Sequence, residues 1–172
     1  MPLHASDFEI FALPARFAFE RDALDQRWRD LQRSAHPDRF ASADAATQRL
    51  AMQWSVRINE AYQRLKDPQK RAAYLCEQHG VPVQAEQNTA MPAAFLQQQM
   101  EWREALDEAR SATELEHLAA AVAQARTELL GQMQRSADEL ADFDALAQQV
   151  RALMFVERFA RAVEQRSEPV QD

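Results

Sequence analysis

Cysteine, glycine and long apolar runs are all scarce in this chain, and each scarcity removes a class of explanation. A single cysteine, Cys76, occurs in 172 residues. It has no partner for an internal disulfide, and by itself it cannot hold a zinc ribbon or an iron–sulfur cluster. Nothing in cysteine usage points to secretion. No apolar run approaches the roughly 20 residues that a bilayer span needs. The opening MPLHASDFEIFALPARF carries acids where a signal peptide would carry bases. A cytoplasmic protein that does not enter a membrane is therefore expected. Twenty basic residues face 27 acidic ones, and the net charge of −7 argues against a general nucleic-acid binder. With two glycines, no alternating strand pattern and a wealth of Ala, Leu, Glu, Gln and Arg, the expected fold class is all-α.

What is present is a series of helices with legible ends. Ser6 and Asp7 cap a short first helix that Pro14 ends. A second runs from about Glu20 to Ala35, with Leu24, Trp28 and Leu31 on one stripe. A long third helix, about Ala43 to Lys66, turns Leu50, Trp54, Ile58, Ala61 and Leu65 to one face. Asp67-Pro68 opens a fourth, PQKRAAYLCEQH, which Gly80 and Pro82 stop. Residues 80–91 show no period and read as a linker. Pro92 starts a helix reaching about Ala109. Ser111 with Glu114, and Ser136 with Glu139, supply capping-box patterns for two more, and Gly131 reads as a helix-terminal glycine. The expected division is a first unit at 1–79, the linker, a three-helix unit at 92–166 and a disordered tail at 167–172.

Between the second and third helices stands SAHPDRFAS, residues 34–42. Taken singly, its residues are ordinary. Pro37 ends a helix, His36 suits a helix carboxyl end and Asp38 suits a turn. The order of elements says more. A short helix, an arginine-bearing helix, a His-Pro-Asp turn, a long helix and then Asp67, Pro68, Arg71 and Tyr74 in a DPxxRxxY pattern resemble the J-domain of DnaJ-type co-chaperones. The resemblance covers the whole first unit. It implies that His36, Pro37 and Asp38, with Arg27, Arg29, Arg33 and Arg39, dock on a DnaK-class chaperone and stimulate its ATP hydrolysis. Rigid Pro37 would present the Asp38 carboxylate to a partner guanidinium, and the arginines would steer association. Asp25 and Asp30 interrupt that basic face.

In the second unit, PAAFLQQQMEWREALDEAR sets Phe95, Trp102 and Leu106 on a core stripe, with Leu96 and Met100 turned away from it. Glu104 lies beside them and Glu101 borders the other side. An apolar pair edged by acids reads either as packing or as a partner site. In the last helix, Leu140, Phe143, Ala147, Val150 and Met154 form a stripe widened by Leu146 and Leu153. Phe155, Val156 and Phe159 fall outside it, which packing between neighbours explains more simply than docking does.

A J-domain followed directly by a helical segment containing AFLQQQMEWREALDE resembles the HscB family of iron–sulfur co-chaperones over nearly the whole chain. That resemblance implies an HscA-like chaperone partner for the first unit and an IscU-like scaffold partner for the second. Leu96, Gln97, Met100, Glu101, Glu104 and Phe155 match the family's scaffold-binding positions, with Gln97 standing where an apolar residue is expected. It further implies a protein that is not itself an enzyme, needs no cofactor and holds no metal. The ATP site would belong to the chaperone, and the cluster ligands to the scaffold. The competing readings are a J-protein for a different client, an enzyme using His36 and Asp38 as acid and base, and a helical nucleic-acid binder.

Overall fold

The computed structural model describes residues 3–168. Among them there are seven α-helices and no strand: α1 (Asp7–Ile10), α2 (Arg21–Ala35), α3 (Ala45–Lys66), α4 (Pro68–Gln78), α5 (Ala93–Glu108), α6 (Ala112–Gln134) and α7 (Phe143–Ser167). A 3-10 turn, Pro37–Phe40, separates α2 from α3, and a π turn, Arg135–Glu139, follows α6. Of the tail expected from 167 onward, residues 169–172 lie outside the described residues.

Two compact units divide the chain, one ending at Tyr74 and the other beginning at Leu75. In the first, Leu24 of α2 and Ile58, Ala61 and Leu65 of α3 are fully or almost fully buried, together with Phe8 and Ile10 of α1. Trp28 stacks on Tyr62 at 4.6 Å between ring centroids and donates its indole N–H to Asn59. Leu50, placed by spacing on the core face of α3, is exposed instead. It rims a hollow of about 280 Å³ lined also by Leu31, Ala35, Phe40 and Trp54.

The start of α1 carries a charge clamp. Ser6 and Glu9 close a capping box. Asp7, completely buried, lies 2.8 Å from Arg57 Nη1 and 3.2 Å from Arg64 Nη1, both on α3. Neither carboxylate oxygen takes a well-directed hydrogen bond, so proximity of charge holds it. Tyr74 Oη accepts the Asp7 backbone N–H at 3.0 Å. Arg71, from the DPxxRxxY pattern, lies over the Phe17 and Phe19 rings and donates to the Phe17 and Leu65 carbonyls. These contacts are internal to the unit.

The sequence-based boundary at 79 thus differs from the compact unit's end at 74, and burial explains the shift. Leu75 and Cys76 are buried; Cys76 Sγ contacts the Phe143 carbonyl at 3.8 Å, and the His79 ring stacks on Phe143 at 3.7 Å. The last turn of α4 therefore packs with α7. Gly80 ends α4 at φ +74°, while Val81 N–H bonds the Cys76 carbonyl and Gly80 N–H that of Glu77, the paired bonds of a Schellman cap. Residues 80–91 lack regular helix, as read, but they are fastened. Arg151, buried in α7, donates Nε to Ala90 O at 2.6 Å and Nη1 to Val83 O at 2.7 Å.

The Ser111–Glu114 capping box opens α6, but the Ser136–Glu139 pattern opens nothing. Ser136 is buried in the π turn, and its hydroxyl accepts from Gln149 at 3.0 Å. Asp142 caps α7 instead, accepting the Ala145 N–H. The chain reaches it through Ala141 at φ +49°. Leu140 lies ahead of that cap, where helical spacing does not apply, and is exposed rather than part of the α7 stripe. Gly131 lies inside α6, which continues to Gln134.

Candidate functional site

Two surfaces gather the residues singled out by sequence. In the first unit, His36 leaves α2 with extended backbone, as a residue before proline must, and Pro37 starts the 3-10 turn. His36 Nδ1 accepts the Asp38 backbone N–H at 3.3 Å and lies 3.6 Å from Asp38 Oδ2. Arg39 N–H closes on the His36 carbonyl at 3.0 Å. The corner is organised by its own atoms, and the Asp38 side chain is left 91% exposed.

The arginines divide by task. Arg39 Nη1 donates to the Arg33 carbonyl, stopping the open carbonyl end of α2 with a cation. Arg27 Nη1 donates to the Phe11 and Ala12 carbonyls, so it braces the end of α1. Arg29 and Arg33 stay on the solvent face, with long contacts of 3.5 Å to Gln26 and 3.8 Å to Asp30. Of the two interrupting acids, Asp25 is drawn inward. Arg21 at 2.8 Å and Tyr62 Oη at 2.8 Å hold it, and the Arg21 hydrogen bond keeps its carboxyl below the usual range. Asp30 stays exposed and tempers the outward face.

In the second unit, α5 turns Trp102 inward and leaves Leu96 49% and Met100 72% exposed. Gln97 Nε2 donates to Glu101 Oε1 at 3.2 Å, and Glu101 and Glu104 are exposed at the border. Phe155 differs from the other five. It is only 8% exposed, held edge-on by Phe95 at 5.7 Å and stacked on Phe159 at 5.8 Å. Trp102 completes the cluster, stacked on Phe159 at 5.6 Å. Phe155 is the floor under the α5 surface rather than part of its open face. Val156 and Phe159 are buried as well.

Sequence reading did not find the Asp7 clamp, the Arg27 brace, the Arg151 fastener or the Arg103 guanidinium, which lies over the Phe155 ring at 5.3 Å. Each depends on a partner distant in sequence or on main-chain atoms that every residue carries. Arg103 to Phe155 alone had a hint, since α5 must cover whatever α7 offers. Among the described residues, no group of three or more His, Cys, Asp or Glu is placed to hold a metal ion.

Comparison with known proteins follows the same lines. Residues 91–164 match the family model described as the HSCB C-terminal oligomerisation domain. The chain is 50% identical over 155 residues to the co-chaperone protein HscB homolog of Bordetella petrii, covering 90% of this chain and 91% of that one. The chain belongs to the HscB co-chaperone family. The HscB homolog of Burkholderia multivorans is 49% identical over 164 residues, covering 94% of this chain and 93% of its own. The structure of chaperone HscB from Vibrio cholerae superposes with a TM-score of 0.80 at 33% identity, covering 94% and 96% of the two chains. Human co-chaperone HscB, at 22% identity, shares the fold with a TM-score of 0.86 over 99% of this chain and 86% of that one. The all-α architecture expected from sequence is that of HscB structures. No helix among the described residues is long and apolar enough to cross a membrane.

Proposed function

We propose that the chain carries an IscU-like iron–sulfur scaffold on α5 and delivers it to an HscA-like, DnaK-class chaperone. It would stimulate that chaperone's ATP hydrolysis and so assist cluster transfer to recipient proteins. The observation that carries this reading is the pairing of two solvent-facing surfaces of opposite character on one chain: an outward Asp38 carboxylate, and the bare Leu96–Met100 pair. The first is suited to a partner guanidinium and the second to an apolar partner surface. His36 and Pro37 fix the corner, and Arg29, Arg33 and Arg39 bias the approach of an acidic chaperone face. Arg27 contributes by bracing the end of α1 against α2.

Glu101 and Glu104 edge the apolar pair and select a partner that places cations around its own apolar residue. Gln97 is tied to Glu101, so the patch is narrower than an all-apolar one. Phe155 supports it from below. Carrying both surfaces raises the effective concentration of scaffold at the chaperone. The chain acts in the cytoplasm, and it is an activator rather than an enzyme. The J-domain role belongs to the unit ending at Tyr74, and scaffold binding to the unit that follows.

Chaperone ATPase measured with this chain and the scaffold, separately and together, tests the reading. Joint addition should stimulate more than the sum of the separate effects. His36→Gln should abolish the stimulation while leaving scaffold affinity intact. Additive rates, or a scaffold that does not bind, would sink the proposal.

A further inference from the structure

The face of α3 opposite its buried stripe carries an apolar pair that neither proposed docking surface uses. Met52 is 60% and Val56 53% exposed, one turn apart, with Leu3 partly exposed beside them. Arg49 precedes Met52 by three positions, and Glu60 follows Val56 by four. Three- and four-residue spacings keep all four side chains on one face. Arg49 and Glu60 are both exposed, and neither takes part in the ion pairs of the described residues.

This row is self-complementary. Turned end for end, it lays Met52 against Val56 and Arg49 against Glu60, and a two-fold axis makes each contact twice. A partner of one charge sign would match one end of the row and repel the other. A second copy matches both. We infer that α3 is a self-association surface that takes a second copy of this chain, antiparallel, through Met52 and Val56 with reciprocal Arg49–Glu60 pairs. It is separate from residues 91–164, to which the family model's description attaches oligomerisation. Two apolar side chains and two ion pairs make a small interface, so association is weak and needs a high chain concentration.

Sedimentation equilibrium of the full chain from about 10 µM to about 1 mM reads this directly. Wild type should shift from monomer to dimer across that range. Arg49→Glu and Glu60→Arg should each weaken the dimer by about tenfold or more, because each places like charges together twice. Mixing the two variants should give a one-to-one heterodimer, and combining both changes in one chain should restore the homodimer. Thermal melts of these exposed-site variants confirm that they are folded. A wild-type chain that stays monomeric throughout overturns the inference. So does association that ignores both reversals, which would locate self-contact elsewhere in the chain.

Discussion

Both units have apolar interiors, and they differ in what chiefly reinforces them. The first relies on charge: Asp7 sits between Arg57 and Arg64, Arg71 lies over two phenylalanine rings, and Arg27 grips the end of α1. The second relies on rings, with Phe95, Trp102, Phe155 and Phe159 forming the floor under α5. The difference governs how the proposed docking residues separate from structural ones. On α2, Arg27 braces while Arg29, two positions on, faces solvent, so docking and bracing residues are interleaved. On α5, the exposed residues form a thin layer over a floor that α5 and α7 supply in equal part. Substitutions in the layer should therefore cost affinity, and substitutions in the floor should cost the fold.

The largest test of that separation is Phe155→Ala, which should lower unfolding free energy by about 3–5 kcal/mol, the range for a buried aromatic. Leu96→Ala with Met100→Ala should stay within about 1 kcal/mol of wild type by denaturant titration. Similar losses for both variants would show that α5 is not a layer over a floor. In the first unit, Asp7→Ala should cost about 3 kcal/mol by leaving two arginines without their carboxylate. Asp38→Ala should remain within about 0.5 kcal/mol.

Titration sharpens the contrast further. Burial pushes the Cys76 thiol from 9.0 up to about 11. The unfolded thiol then ionises first, so the Cys76 contribution is full below pH 9 and erodes as pH rises from 9 to 11. The gap between wild type and Cys76→Ala should narrow by about 2 kcal/mol across that window. Smallest is an acid effect common to both units. Hydrogen bonds from the Ser6 backbone and hydroxyl hold Glu9 below its ordinary 4.5, and those from Arg110 and Ser111 do the same for Glu114. Their support is present above pH 4.5 and fades as pH falls through the depressed values. Glu9→Gln and Glu114→Gln should each flatten the acid limb of the stability profile slightly.

Local rules carried most of the fold in the sequence. The Ser111–Glu114 box, Asp67-Pro68 and Gly80 act where they stand, because a cap concerns only neighbouring backbone groups. The same rule misfired at Ser136, since a buried partner, Gln149, had a stronger claim on the hydroxyl than a helix end did. Leu50 and Leu140 fit a periodic stripe but not its burial, which depends on where neighbouring elements stop. The corner at His36 was legible because its hydrogen bonds join residues two and three positions apart. The exposure of Leu96 and Met100 followed from spacing. The burial of Phe155 required knowing that Phe95 and Phe159 meet it in space.

Arg151 has one further consequence. Its two bonds pin residues 83 and 90, while the stretch between those anchors is exposed. Extra residues inserted there should balloon outward without moving the start of α5, whereas one added just past the second anchor would shift the approach to that helix. Length variation among relatives should accordingly collect between the anchors, with the arginine marking the bounds of what the chain tolerates.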